Sequence, residues 1–263
     1  GGVGRRGGAV VAALAAMLAL AIAAVAIPMW RAEGRRAQVA LEKRRAVEAA
    51  AVNDLAGAVG HLTRALEIVP GDLDAREQRA ALRLMAGDRD GAIADCDEAL
   101  KVDGGRKAAW HVRGSARMAK GDFAGALADY GRALVLAPGD ASVNASRGEA
   151  LRRVGDLAGA EGAYGEALAA DPGLARARQG RAEVRVMLGN FEGVRGDAEA
   201  MVELDPENPE GFYLRAIAKR AFGDRAGARA DAEKALEVAP EDWDKTAAVR
   251  ALVQGWREDE APR

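Results

Sequence analysis

The 263-residue chain contains one cysteine, Cys96, which excludes an internal disulfide framework and any multi-cysteine metal site and leaves the redox compartment open. Histidine is nearly as scarce. His61 and His111 have no second histidine, cysteine or carboxylate cluster at ligand spacing, so no metal site is assembled around either. Charge of one sign is also missing: 38 Lys and Arg against 40 Asp and Glu leave a net charge of -2, which offers no basic field for a nucleic acid to follow. Aromatic residues make up 4% of the chain. No GxxxxGK[ST], no GxGxxG after a strand, no GxSxG and no HExxH occurs. These absences point away from catalytic residues, cofactor-binding residues, a metal, a nucleic-acid partner and a small-molecule substrate. The remainder, 49% hydrophobic and 30% charged, describes a helix-favouring body.

One stretch does not fit a purely soluble chain. Ala9 to Met29 carries no charged residue, and at 1.5 Å per residue it spans roughly 31 Å, the thickness of a bilayer core. Arg5 and Arg6 precede it, and Trp30, Arg31, Arg35 and Arg36 follow. The expectation is a transmembrane helix or uncleaved signal anchor over residues 9–30. It lies between a basic flank at 1–8 and a charged juxtamembrane helix at 31–38, and places the protein as a single-pass species in a bacterial inner membrane. The other reading is a cleaved signal peptide, since Ala24-Val25-Ala26 offers the small-x-small pattern, and that would release a periplasmic or secreted protein. The excess of Lys and Arg after the span favours a cytoplasmic C-terminal side. The chain starts at Gly rather than Met, which suggests a start inside a longer reading frame or after processing.

The prolines then set the organisation. Pro138, Pro172, Pro206 and Pro240 stand 34 residues apart, Pro70 lies two periods before Pro138, and Gly104 fills the skipped position. This gives six repeats, at 39–72, 73–106, 107–140, 141–174, 175–208 and 209–242. Within each, place 8 is small (Ala46, Ala80, Gly114, Gly148, Ala182, Ala216), which lets helices approach closely. Place 15 is Gly in five repeats and Asn53 in the first, mostly followed by Asp, a pattern that stops one helix and caps the next. Alanine recurs at place 20, with Val194 the exception, and at place 27, with Met201 the exception. Each repeat therefore reads as a helix-turn-helix hairpin.

These residues resemble the tetratricopeptide repeat (TPR) family, whose pattern has aromatics at places 4 and 24, small residues at 8, 20 and 27, and Pro at 32. Residues 107–140 match best, with Trp110, Gly114, Ala126, Tyr130, Ala133 and Pro138 in place; 175–208 depart most, with Val194, Ala198 and Met201. The resemblance implies an all-α fold, a right-handed α-solenoid of six hairpins preceded by the one transmembrane helix. Val249, Leu252, Val253 and Trp256 follow i, i+3, i+4, i+7 spacing, which resembles the family's C-terminal capping helix over 243–258, before a disordered tail at 259–263. Because the one break between Trp30 and Ala51 is Gly34, the membrane helix is expected to run nearly straight into the first hairpin.

Place 7, usually apolar in the family, is arginine in all six repeats: Arg45, Arg79, Arg113, Arg147, Arg181 and Arg215. Place 23 is aspartate in four, Asp95, Asp129, Asp197 and Asp231, while His61 and Ala163 interrupt the series. A half-buried cation is costly unless paired, and arginine meets a carboxylate through two bonds. The expectation is a structural ladder of Arg–Asp pairs, within one repeat or between neighbours. The rival is that the arginines line a groove for an acidic peptide.

In TPR proteins the first helices line a concave groove that holds an extended peptide or a partner helix. Carrying over groove places 5, 9 and 12 gives Glu77, His111, Ser115, Glu149, Arg152, Gln179, Glu183, Tyr213 and Arg220, a set without a dominant sign. The Lys, Asn and Arg clamp by which chaperone-binding members hold a C-terminal carboxylate is missing. Asn144-Ala145-Ser146 matches the glycosylation sequon, but inside a repeat's first helix a glycan would collide with neighbours. The resemblance thus implies a membrane-anchored, non-enzymatic scaffold that recruits a protein or peptide. An alternative is the anchor and recruiting tail of a bacterial receptor-like Ser/Thr kinase, which shares the order of span and repeats.

Overall fold

The computed structural model describes the backbone of residues 3–260. Among the described residues there are thirteen α-helices and no strand. The chain divides into two compact bodies, residues 1–102 and 103–263. The first holds α1 (Val3–Ala51), α2 (Leu55–Ile68), α3 (Leu73–Met85) and α4 (Arg89–Val102). The second holds α5 (Lys107–Ala119), α6 (Phe123–Leu136), α7 (Ala141–Arg153), α8 (Leu157–Ala170), α9 (Ala175–Leu188), α10 (Phe191–Leu204), α11 (Pro209–Ala221), α12 (Arg225–Val238) and α13 (Thr246–Glu260). The 34-residue pattern runs through Val102 and Asp103 without marking this division, which falls just before Gly104 stands in the proline's place.

Helix α1 is continuous for 49 residues. The span expected at 9–30 belongs to it, but most of those side chains fall outside the described residues. Among the described residues no helix is long and apolar enough to cross a membrane, so the structure lends no support to the expected transmembrane segment. Of the tail expected at 259–263, residues 261–263 lie outside the described residues and α13 runs to Glu260.

The hairpins are built by local chemistry. In the third repeat, Gly121 takes φ +82°, a left-handed conformation that side chains strain to adopt, and so ends α5. The Asp122 carboxylate then accepts the N–H of Gly125 at 2.9 Å and caps α6. The same device recurs with Asp54, Asp88, Asp156, Asn190 and Asp224. A second local link closes the junction between repeats. The place-4 side chain reaches back six residues to the carbonyl at place 32: Arg76 to Pro70, Trp110 to Gly104, Asn144 to Pro138, Arg178 to Pro172. Asn144, the sequon residue, is 1% exposed and committed to this bond.

Small side chains make the core. In the first body Val39 and Ala46 of α1 pack with Ala58, Leu62, Ala65 and Leu66 of α2. In the second body Ala126, Tyr130 and Ala133 meet Val143 and Ala150, and Tyr164 and Ala167 meet Ala177 and Val184. Where alanine is replaced, at Val194 and Met201, both larger side chains are buried against Leu214 and Ala218. The apolar face of α13 is used by Val249 and Val253, which pack on Ala216 and Ala232.

Candidate functional site

Four of the six place-7 arginines come to lie against the second helix of their own repeat. Arg79 donates to Asp95 at 2.9 and 2.6 Å, Arg113 to Asp129 at 3.0 and 2.7 Å, Arg181 to Asp197 at 3.1 and 2.6 Å, and Arg215 to Asp231 at 2.8 and 2.7 Å. Each aspartate also receives a second cation that the sequence reading did not single out, at place 11: Arg83, Arg117, Arg185 or Lys219, each at 2.8 Å. Three of these arginines also donate to a carbonyl near the start of the partner helix, at Gly91, Gly125 and Gly193. Burial alone would raise the Asp231 carboxyl, but the hydrogen bonds from Arg215 and Lys219 outweigh it and hold it below the ordinary range. In the first repeat, where His61 stands at place 23, Arg45 turns to Glu42 instead. Glu42 also accepts from His61 and Arg64, and these bonds, that of His61 foremost, hold its carboxyl down at about 2.

Arg79, Arg113, Arg181 and Arg215 are therefore engaged within their own repeats, whereas Arg147, expected in the same ladder, meets no aspartate because Ala163 stands at its place 23. The first helices of the second body, α5, α7, α9 and α11, stand side by side. Between α5, α7 and α9 lies a cavity of about 390 Å³ whose wall includes Ser115, Ser146, Glu149, Gln179 and Glu183. Its floor is Tyr130 and Tyr164, both at place 24, where the family pattern has an aromatic. Both rings are buried, 1% and 3% exposed, and glycine explains how they fit so closely beneath the first helices. A Cβ on Gly180 would lie 2.4 Å from Tyr164 Cζ, and one on Gly114 would lie 2.7 Å from Tyr130 Cε1, so only glycine leaves room for these rings.

The polar groups here bond locally. The Tyr130 hydroxyl donates to Ser115 at 3.3 Å, and the Tyr164 hydroxyl to Glu149 at 3.2 Å. His111 Nε2 is 3.1 Å from Ser146 Oγ, and Gln179 donates to Glu183 at 3.1 Å. Burial pushes both tyrosines above the usual phenol range, so they stay protonated donors, and burial pushes His111 below the usual imidazole range, so it is neutral at pH 7. Arg152 holds Glu149 through two bonds of 2.8 Å; with Arg153 it outweighs burial and lowers that carboxyl. Arg176, on the rim, donates to the carbonyl and hydroxyl of Ser142.

Of the expected groove set, the cavity gathers Ser115, Glu149, Gln179 and Glu183, with His111 and Arg152 bonded to its wall. Glu77 stands on α3 in the first body and is not part of this wall. Tyr213 is taken up by the capping segment: Trp243 meets it edge-on at 6.2 Å, and Lys245 lies 5.6 Å over its ring while bonding Glu210 and reaching Glu183 at 3.4 Å. Arg220 stacks over Trp256 at 5.6 Å. The cavity's other contributors, Tyr130, Tyr164, Ser146, Arg176 and Gly180, sit at places the groove rule does not cover. The one sequence signal for them is glycine at places 6 and 8 beside a place-24 tyrosine.

Stacked helical hairpins with a polar cleft along their first helices define a helical-repeat protein. The tetratricopeptide repeat model matches residues 77–141, 111–175 and 145–209, half of the chain, and the protein belongs to the tetratricopeptide repeat family. Solved structures agree in fold. A tetratricopeptide repeat protein from Parabacteroides merdae has a TM-score of 0.66 at 20% identity, over 84% of this chain and 88% of that one. Pseudomonas aeruginosa pilF has a TM-score of 0.70 at 17% identity, over 84% and 99%. YrrB, described as a TPR protein with an unusual peptide-binding site, has a TM-score of 0.61 at 19% identity, over 75% and 97%. No curated protein matches the chain in sequence.

Proposed function

We propose that this protein is a scaffold that holds an extended segment of a partner protein on the face formed by α5, α7 and α9, and performs no chemistry there. The observation that carries the reading is the cavity: two tyrosine rings on the floor and hydroxyl, amide and carboxylate groups on the wall. An extended peptide needs apolar contact for its side chains and donors and acceptors for its backbone, and such a cleft offers both. YrrB, a neighbour in fold, is described by its peptide-binding site, which supports the same use of the scaffold here. Lys245 and Trp243 cover Glu210 and Tyr213, so the open stretch is the one centred on Tyr164.

Photo-crosslinking in cells tests this. A benzophenone side chain at Gln179 is expected to capture a protein that one at Arg132, on the exposed side of α6, does not, and Ser115→Trp, which fills the cleft, abolishes the adduct. Equal capture at both positions, or capture that survives Ser115→Trp, overturns the reading.

We infer membrane tethering through residues 9–30 from the sequence alone, on the strength of the uncharged run Ala9 to Met29. Alkaline carbonate extraction of the full chain from bacterial membranes is the check. Retention in the pellet supports the anchor, and release overturns it.

A further inference from the structure

Arg147 departs from the pattern of its equivalents. In the repeats beginning at 73, 107, 175 and 209, the place-7 arginine has its aspartate and that aspartate its second cation, and these arginines are 13–22% exposed. The repeat beginning at Ala141 carries Leu151 at place 11 and Ala163 at place 23, so both charges are gone while the arginine remains. Arg147 reaches one carboxylate, Glu166, at 3.7 Å, beyond hydrogen-bond distance, and its side chain is 40% exposed.

A third replacement opens space beside it. At place 25 of the first repeat, Thr63 accepts a bond from Arg79 of the next repeat at 3.1 Å. The residue at that place before Arg147 is Gly131, where an added Cβ would meet nothing within 4 Å. The result is a cleft of about 530 Å³ walled by Leu127, Leu134, Val135, Leu151 and Arg147, with Val135 75% exposed. Arg147 and Leu151 are one turn apart on the side of α7 turned away from Ala145 and Glu149, so this cleft is separate from the tyrosine-floored groove.

We propose that this cleft binds a partner-protein segment that brings a carboxylate to Arg147 and an aliphatic side chain onto the Leu and Val wall. The partner supplies the rung that Ala163 lacks. The guanidinium that elsewhere in the array holds a carboxylate through two bonds has that capacity unused, since Glu166 approaches it without hydrogen bonding. The apolar wall beside it gives a second, non-ionic point of contact, which selects an acidic residue flanked by Leu, Ile or Val over a bare acidic run.

The test uses the purified full chain and an array of ten-residue peptides in which one Glu or Asp stands near a Leu, Ile or Val, each paired with a peptide carrying Gln or Asn instead. The expected result is retention of acid-bearing members that falls at least tenfold for their amide counterparts. The same loss is expected in Arg147→Gln, which removes the cation, and in Gly131→Leu, which fills the cleft without touching any Arg–Asp pair. Thermal unfolding of both variants verifies that they fold. Undiminished binding by either folded variant, equal binding of the amide peptides, or no acid-bearing peptide binding more tightly than about 1 mM overturns the proposal.

Discussion

Arg113 and Asp129 lie sixteen residues apart in the chain and are joined by two N–H···O bonds of 3.0 and 2.7 Å, with the aspartate side chain 2% exposed. Arg117 adds a third contact to the same carboxylate at 2.8 Å. One acceptor thus serves two cations, and the three positions are not equivalent. Asp129→Asn leaves both arginines without their anion and is expected to cost about 3 kcal/mol or more. Arg117→Ala leaves the two-bond pair intact and is expected to cost about 1 kcal/mol. In a double-mutant cycle, Arg113→Ala and Asp129→Ala should couple by about 0.5–3 kcal/mol. Denaturant unfolding of the full chain measures each term, and a coupling near zero would sink the structural role.

The positions that repeat were legible, and those that vary in step with one another were not. Arginine at place 7 and aspartate at place 23 stand out because each recurs in the sequence by itself. The cation at place 11 does not recur in all six repeats: Ala49 and Leu151 replace it where His61 and Ala163 replace the aspartate. Its meaning lies in that correlation, and one helical turn from place 7 it passes for an ordinary surface charge. Tyr130 was legible at its family place and Tyr164 was not singled out, and neither was legible as a groove floor, because that depends on Gly114 and Gly180 having no Cβ, a fact of three-dimensional clearance. The glycine three residues after the residue capping each second helix, Gly125 after Asp122 for instance, was also passed over. A Cβ there would sit 2.1 Å from the Asp122 carboxylate oxygen, so the cap and the glycine belong to one device.

Two glycine replacements in neighbouring helices separate clearance from helix propensity. Gly162→Ala in α8 adds a methyl that meets nothing within 4 Å, and is expected to stabilise by about 0.5–1 kcal/mol. Gly180→Ala in α9 gains the same propensity, but its Cβ would lie 2.4 Å from Tyr164 Cζ, and displacing that ring is expected to cost about 1–3 kcal/mol. Unfolding midpoints should therefore move in opposite directions. If both variants are stabilised, Tyr164 is not held against α9 as described.

Glu42 gives the first body an acid-sensitive joint. Hydrogen bonds from His61, Arg64 and Arg45 lower its carboxyl from 4.5 to about 2. A carboxyl whose folded value is depressed stabilises the fold above its unfolded value, and that contribution is lost as pH falls through the window from 4.5 to about 2. The protection of α2 amides, measured against their intrinsic exchange rates, is expected to fall across this window in the native chain. In Glu42→Gln the protection should be low already at pH 6 and change less on acidification, because the carboxylate that titrates is gone. Identical pH profiles for the two proteins would show that Glu42 does not hold α1 to α2.

Lys245 tests how the capping segment is fastened. Glu210 is 6% exposed, and burial pushes its carboxyl above the ordinary range even with Lys245 bonded to it. A raised carboxyl value means the folded state holds its proton more tightly than the unfolded state, so this group's contribution is present at low pH and is lost as pH rises through the folded value. Lys245→Met removes the cation while keeping the length of the side chain over Tyr213, and Glu210 must then be buried either uncompensated or protonated. Because Lys245 is itself 28% exposed, the cost at pH 8 is expected toward the low end for breaking such a pair, about 2–3 kcal/mol. As pH falls the variant escapes part of this by keeping the proton, so the gap in unfolding free energy between variant and native chain should shrink. A gap that is constant with pH would mean that Lys245 fastens the segment through its stem against Tyr213 rather than through its charge.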